Sequence, residues 1–255
     1  LHNKGFQSIA AHNNIKNFWR RDMVYEKFGF DKFISLTDMG DLPQEYVAQR
    51  KPWQWQPDDF LLYRSVLNEV KNNKGGKLFF NLMTMSSHGP YQFDNDFGEG
   101  VYTFKLHEAI TRLTEFTEKL EQIDPNAIIL VYGDHKPALN RYFFERKVFP
   151  PSFFIKTGVE DYDFVFKGSV TPEDFGDVPV FIKGGNEKLV SKFISDANEK
   201  PFFCLTSIFD SYFINSGLFS FDYSLKHGCL DPQPYDYHKM VTMTPAWVYS
   251  LSLFE

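Results

Sequence analysis

Short apolar runs alternate with amphipathic stretches along this chain, a pattern that predicts an α/β layer architecture. Phe6–Ala11 reads as a strand. Asn14–Phe28 reads as a helix with Ile15, Phe18, Trp19 and Val24 on one face and Gly29 as its stop. A second helix, Asp58–Asn72, follows Pro57 and sets Leu61, Val66, Leu67 and Val70 on its apolar side. Gly75-Gly76 breaks the chain, and Lys77–Met85 is then nearly continuous in apolar residues, as in a strand covered on both faces of a parallel sheet. Thr103–Ile123 is the plainest helix: Leu106, Ile110, Leu113, Phe116 and Leu120 recur at spacings of four, three, three and four. Asp124-Pro125-Asn126 ends it, and Ala127–Tyr132 is a second buried strand. Strands joined by a helical crossover run parallel with a right-handed connection. The polar turns after both strands, Ser86–Tyr91 and Gly133–Pro137, are therefore expected on one sheet edge, where open α/β sheets bind ligands.

Beyond Pro150 the character shifts. Ser152–Lys156 and Asp177–Lys183 read as short strands, Glu187–Ala197 as a helix and Pro201–Ile208 as another buried run. From Asp210 onward aromatics mix with Gly and Pro without periodicity. The expected organisation is a core over 1–150 and an aromatic-rich continuation of the same domain over 151–255. The chain has 255 residues, of which 18% are aromatic, including 29 Phe; this predicts a bulky core or an aromatic-lined groove. The net charge of −6 argues against a general nucleic-acid-binding surface. No run of about 18 apolar residues is present, so no helix of this chain is expected to span a membrane. Cys204 and Cys229 are too few for a structural zinc site and leave either one disulfide or two buried thiols.

Three constellations can carry chemistry. Gly133-Asp134-His135 follows a buried strand: Gly133 allows a sharp turn, and a carboxylate beside an imidazole can meet one divalent cation, mixed O/N ligation suiting Zn or Mn. The plain alternative is a capping Asp and a surface His. Ser86-Ser87-His88-Gly89-Pro90 offers a His that can bind an anion, donate to a leaving oxygen or ligate a metal; the alternative is a turn His bonded to backbone. His12-Asn13-Asn14, followed by Phe18-Trp19-Arg20-Arg21-Asp22, supplies a guanidinium fork for phosphate and an indole to pack on a small polyol. The alternative there is a helix burying Phe18 and Trp19 with solvated arginines. Trp53 and Trp55 form a candidate lid or merely pack locally, and His227 and His238 lie in the tail without metal-like partners.

In this order the three constellations resemble the sulfatase-like branch of the alkaline phosphatase superfamily, and within it the lipoteichoic-acid-synthase-like phosphoglycerol transferases. The matching text is Gly5-Phe6-Gln7-Ser8, His12-Asn13-Asn14, Phe18-Trp19-Arg20-Arg21-Asp22, Tyr25 and Phe28-Gly29-Phe30-Asp31-Lys32-Phe33, then Met85-Ser86-Ser87-His88-Gly89-Pro90-Tyr91, then Val131-Tyr132-Gly133-Asp134-His135. It covers residues 5–137, about half the chain. Ser87-His88-Gly89-Pro90 is also similar to the corresponding segment of phosphoethanolamine transferases.

The resemblance implies a three-layer α/β/α fold with a mostly parallel central sheet. It implies that Asp134 and His135 ligate a catalytic Mn, Zn or Mg ion and that His88 contacts the transferred phosphoryl group or the leaving oxygen. His12, Asn14, Trp19 and Arg21 would hold the glycerophosphate head, Asn14 standing where these enzymes can carry an Asp. In the family a Glu ligand and a Thr nucleophile precede the matched segment, and residues 1–11 supply neither. The chain is thus expected to be the C-terminal part of a catalytic domain, inactive alone. Its parent would be a bacterial plasma- or inner-membrane protein with upstream transmembrane helices and an extracytoplasmic domain, either periplasmic or at the cell surface. That parent would transfer head groups between phospholipids or onto glycan acceptors. The rivals are a sulfatase or phosphodiesterase of the same fold, against which Lys136-Pro137 after the Asp-His pair counts, and an inactive head-group-binding domain. The whole reading requires the loops bearing Asp134, His88 and Arg21 to converge.

Overall fold

The computed structural model describes residues 1–49, 58–93, 96–137, 139–160, 163–167 and 178–230. Trp53, Trp55 and His238 lie outside them. The architecture is mixed α/β around a parallel sheet. Strand β1 (Phe6–His12) is central, flanked in parallel by β2 (Lys32–Ile34) and β3 (Lys77–Met83). The β1–β3 register runs from Phe6 opposite Lys77 to His12 opposite Met83. Ile9 and Ala11 of β1, with Ile34 and Met39, form a core under Leu61 and Leu62 of a helix, Asp59–Asn72. Asp58 caps that helix by accepting from the Phe60 amide at 2.8 Å.

The helix read over 14–28 is interrupted. Trp19 and Arg20 hold left-handed backbone (φ 52° and 55°), so only Arg21–Lys27 (α1) is α-helical. The expected apolar face of Ile15, Trp19 and Val24 is exposed, and Tyr25 is the buried residue. Helices α2 (Gln44–Gln49), α3 (Asp59–Asn72) and α4 (Glu99–Ile123) follow. Helix α4 packs on α3: Phe116 and Leu120 join Tyr63, Val66 and Leu67 in a second core, while Ile110, placed on the apolar stripe by its spacing, is 53% exposed. Arg112 Nε of α4 lies 3.4 Å from Asp58 Oδ1 in a mostly buried ion pair.

A hairpin of two-residue strands, β4 (Gln92–Phe93) and β5 (Asp96–Phe97), precedes α4. Strand β6 (Ile129–Tyr132) corrects the expected pairing. It is not hydrogen-bonded to β3 but runs antiparallel to a late strand, Val180–Lys183, although Ile129 shares the second core with Phe80 and Leu82 of β3. The short α5 (Asn140–Glu145) leads to an antiparallel pair, β7 (Phe154–Lys156) and β8 (Phe164–Phe166), before β9 (Val180–Lys183). Around β7 and β8, Phe144, Phe149, Phe154, Phe164 and Phe166 pack ring to ring, with centroids 4.5–5.6 Å apart. Here the phenylalanine content becomes a core.

The chain ends, as described, in α6 (Glu187–Ala197), α7 (Phe202–Phe213) and α8 (Phe219–Ser224). The buried run read over 201–208 is the first half of a helix. Leu205, Ile208, Phe209 and Tyr212 recur at helical spacing, a period that shows only when the run is followed past Ile208. Cys204 and Cys229 form a disulfide, buried with Phe193 and Ile208 in a third core. The link closes a loop of 25 residues. Replacing both cysteines by Ser is expected to cost about 2–4 kcal/mol, read as a lower urea midpoint with unchanged far-UV circular dichroism.

Candidate functional site

The parallel register brings His12 to the carboxyl end of the sheet beside Met83. His12 is fully buried, and its Nδ1 donates to the Met83 carbonyl at 3.0 Å. Arg21, at the first turn of α1, directs Nη2 to the sulfur of the same Met83 at 2.8 Å. The guanidinium lies 5.3 Å from the Phe18 ring and 5.7 Å from Trp19, and Phe18 stacks on His12 at 6.2 Å. The left-handed pair Trp19-Arg20 turns the indole outward, 79% exposed, against the other face of the cluster. Two consecutive non-glycine residues in this conformation cost about 1–2 kcal/mol each, and strain of this kind gathers at ligand sites. His12, Trp19 and Arg21 are thus brought together. Asn14 is not: its side-chain oxygen accepts from the Ile15 amide at 2.7 Å, folding back on its own turn.

Two buried polar atoms of this cluster have no hydrogen-bond partner, His12 Nε2 and Arg21 Nη1. Burial holds the His12 pKa below its ordinary 6.5, and the Arg21 cation adds to that, outweighing the Met83 carbonyl. The ring is therefore neutral near pH 7. With Nδ1–H committed to Met83, Nε2 presents a lone pair. A bare acceptor beside a guanidinium with a free N–H fits an anion that also carries a hydroxyl.

His88 is exposed on the second turn, its Nδ1 donating to the Gly89 carbonyl at 2.8 Å. His135 repeats the arrangement, Nδ1 donating to the Lys136 carbonyl at 2.8 Å. All three candidate-site histidines thus commit Nδ1–H to a backbone carbonyl. At the third turn, Asp134 and His135 are 81% and 66% exposed, with Oδ2 and Nε2 3.8 Å apart. A carboxylate oxygen and an imidazole Nε2 whose Nδ1–H is held by a carbonyl suit a divalent transition metal. They make half a ligand set, since no group of three or more His, Cys, Asp or Glu side chains is placed to hold a metal among the described residues. Gly133 serves a purpose other than the expected sharp turn. A Cβ there would meet Val178 at 3.3 Å, so glycine admits the close approach of residues 178–179.

Sequence reasoning missed the groups beneath these loops. Asp59 is fully buried and accepts from Asn13 Nδ2 and the Met85 amide at 2.8 Å each and from the Ser86 amide at 3.1 Å. Lys105 of α4, 1% exposed, donates to the carbonyls of His88 at 2.8 Å and Pro90 at 3.0 Å. An Asp at a helix start reads as an ordinary cap, and a Lys inside a long amphipathic helix reads as solvated. Burial chiefly raises the Tyr25 pKa, and the Arg21 cation opposes it. A cleft of about 340 Å³ on the other side of α1, lined by Lys16, Asp22, Glu26 and Lys32 among others, contains none of the predicted site residues.

The sequence model of the sulfatase family matches residues 1–182. The lipoteichoic acid synthase of Staphylococcus aureus (strain USA300) is 27% identical over 148 residues, which cover 52% of this chain and 21% of that protein. The matched region thus spans about a fifth of the curated relative's length. Among solved structures, the Streptococcus pyogenes phosphoglycerol transferase GacH, in complex with sn-glycerol-1-phosphate, shares the fold. Its TM-score is 0.50 at 19% identity, over 96% of this chain and 60% of that one. The lipoteichoic acid synthase LtaP of Listeria monocytogenes aligns at 23% identity and TM-score 0.49, over 73% and 45%.

Protonating His12 requires charging a buried ring beside a guanidinium. Its NMR titration midpoint is expected below 6.5, and Arg21→Ala is expected to raise it. The sign for stability follows. The unfolded ring takes up its proton first, so the His12 contribution is intact above pH 6.5 and declines as pH falls below it.

Proposed function

Because the chain belongs to the sulfatase family, we propose that it is the head-group-binding part of a metal-dependent phosphoglycerol transferase acting on membrane lipids or glycans outside the cytoplasm. The observation that carries this is the pair of buried, unpartnered atoms, His12 Nε2 and Arg21 Nη1, beside the exposed Trp19 ring. Arg21 complements a phosphate oxygen, His12 Nε2 a glycerol hydroxyl, and the indole a short carbon skeleton. GacH was solved with a ligand of this chemistry.

Asp134 and His135 would hold the metal, which lowers the pKa of an attacking hydroxyl and takes up phosphoryl charge. The resemblance supplies the rest of the reaction. In that reaction a threonine oxygen attacks phosphorus and breaks the P–O bond to the lipid alcohol. An acceptor hydroxyl then displaces the threonine. His88, its Nδ1–H held by the Gly89 carbonyl, would pass a proton to the leaving oxygen in the first step and take one from the acceptor in the second.

The sheet supports the partial-domain reading. Strands β3 and β6 both read as runs covered on two faces, yet most of their residues are only half-buried. Among the described residues each is paired along one edge, while Phe80, Leu82 and Ile129 meet in a single core. A further parallel strand inserted there would cover both and end between the Ser86–Tyr91 and Gly133–Pro137 turns. The buried disulfide fits an oxidising, extracytoplasmic compartment.

The full-length parent with Mn is expected to release diacylglycerol from phosphatidylglycerol. Asp134→Ala should reduce this at least about 100-fold, the upper range for disturbing even an outer partner of a metal ligand. The 255-residue chain alone should be inert. Sulfate release from an aryl sulfate in place of lipid turnover, or Asp134-dependent turnover by the isolated chain, overturns the reading.

A further inference from the structure

We infer that Asp59 and Lys105, both buried beneath the site, are positioning residues that together set the placement of the His88 turn relative to His12. The inference rests on the proposed head-group site.

The geometry is that of a clamp. Asn13 follows His12 directly as the chain leaves β1, and its side-chain amide donates to Asp59 Oδ1 at 2.8 Å. Met85 and Ser86 open the turn that carries His88, and their amides donate to Oδ1 at 2.8 Å and Oδ2 at 3.1 Å. The Asp59 amide in turn donates to Ser86 Oγ at 3.3 Å. One carboxylate therefore ties the residue after His12 to the residues before His88. From the far side, Lys105 Nζ gathers the carbonyls of His88 and Pro90 and lies 5.8 Å from the Tyr91 ring centroid. The turn is gripped at its entrance by an anion that accepts from N–H groups and at its exit by a cation that donates to C=O groups.

A purely stabilising pair would face each other. These two face separate stretches of backbone, and each bond they make fixes a loop that carries a site histidine. Burial raises the Asp59 pKa and lowers that of Lys105, the cost of keeping the charges where hydrogen bonds exploit them. An Asn at 59 would turn a donor toward N–H groups on one side of the clamp. A Met at 105 would keep the buried stem and lose both carbonyl contacts.

The test is the imidazole ¹H–¹⁵N spectrum of the labelled 255-residue chain. Asp59→Asn is expected to move the His12 and His88 signals together and leave His2 and His227 in place. Lys105→Met is expected to move His88 and leave His12. Ser86→Ala, which removes only the hydroxyl facing Asp59, serves where Asp59→Asn does not fold and should shift the same pair by less. Unmoved His12 and His88 signals, or equal movement of every histidine, overturn the inference. In the full-length protein, Asp59→Asn should lower kcat by about 100-fold, the loss that a misplacement near 1 Å produces. If wild-type full-length protein transfers no phosphoglycerol, the functional reading fails, and the spectra of the chain still decide the clamp.

Discussion

Strands β1 and β3 end together, and much of the site depends on that register. With His12 opposite Met83, the chain leaves the sheet twice at one edge, and Met83 serves both neighbours: its carbonyl takes His12 and its sulfur takes Arg21. A slip of one residue would send every side chain of β1 to the opposite face. It would lift Ile9 and Ala11 out of the core and carry His12 away from Phe18. The core under β1 therefore specifies the chemistry at its end. Asp59, at the start of α3, extends the constraint from the strand ends to the turn beyond β3.

Much of this was legible in the residues because it rests on periodicity. The α6 boundaries, the burial of Leu61, Val66 and Leu67 on α3, and strands β1 and β3 follow from apolar spacing alone. The motifs likewise put the histidines at strand ends. What was illegible has a common cause: it depends on contacts between distant residues. Nothing local marks Trp19 and Arg20 as left-handed, since both types favour helix well enough, and the conformation is set by packing of Phe18 and Arg21 on His12 and Met83. Lys105 sits where the α4 pattern suggests solvent, and only the 88–90 turn folding over it makes that position internal. The pairing of β6 with β9 joins segments 50 residues apart with a change of direction, which no local spacing records.

The three site histidines share one electrostatic device. Each spends Nδ1–H on a nearby backbone carbonyl, belonging to Met83, Gly89 or Lys136. Their surroundings separate their chemistry. His12 is buried beside a cation and kept neutral, suited to receiving a hydrogen bond from substrate. His88 is exposed at the surface, its Nδ1–H held by the Gly89 carbonyl. His135 stands beside a carboxylate, its Nε2 3.8 Å from Asp134 Oδ2.

The Asp134-His135 turn follows β6, which among the described residues pairs with β9 and not with the parallel sheet. Its hold comes from the C-terminal side. Strand β9 pairs with β6 through Val180–Lys183, and the Gly133 amide donates to the Pro179 carbonyl. Leu130 and Ile182, facing each other in that ladder, pack on the core that contains the Cys204–Cys229 disulfide. The covalent link thus lies far from the metal-type residues in sequence but stands behind the strand that presents them. This gives the aromatic-rich continuation a physical part in the site. It backs β6 through β9 and the disulfide core, while Met83 and Asp59 hold the first two turns.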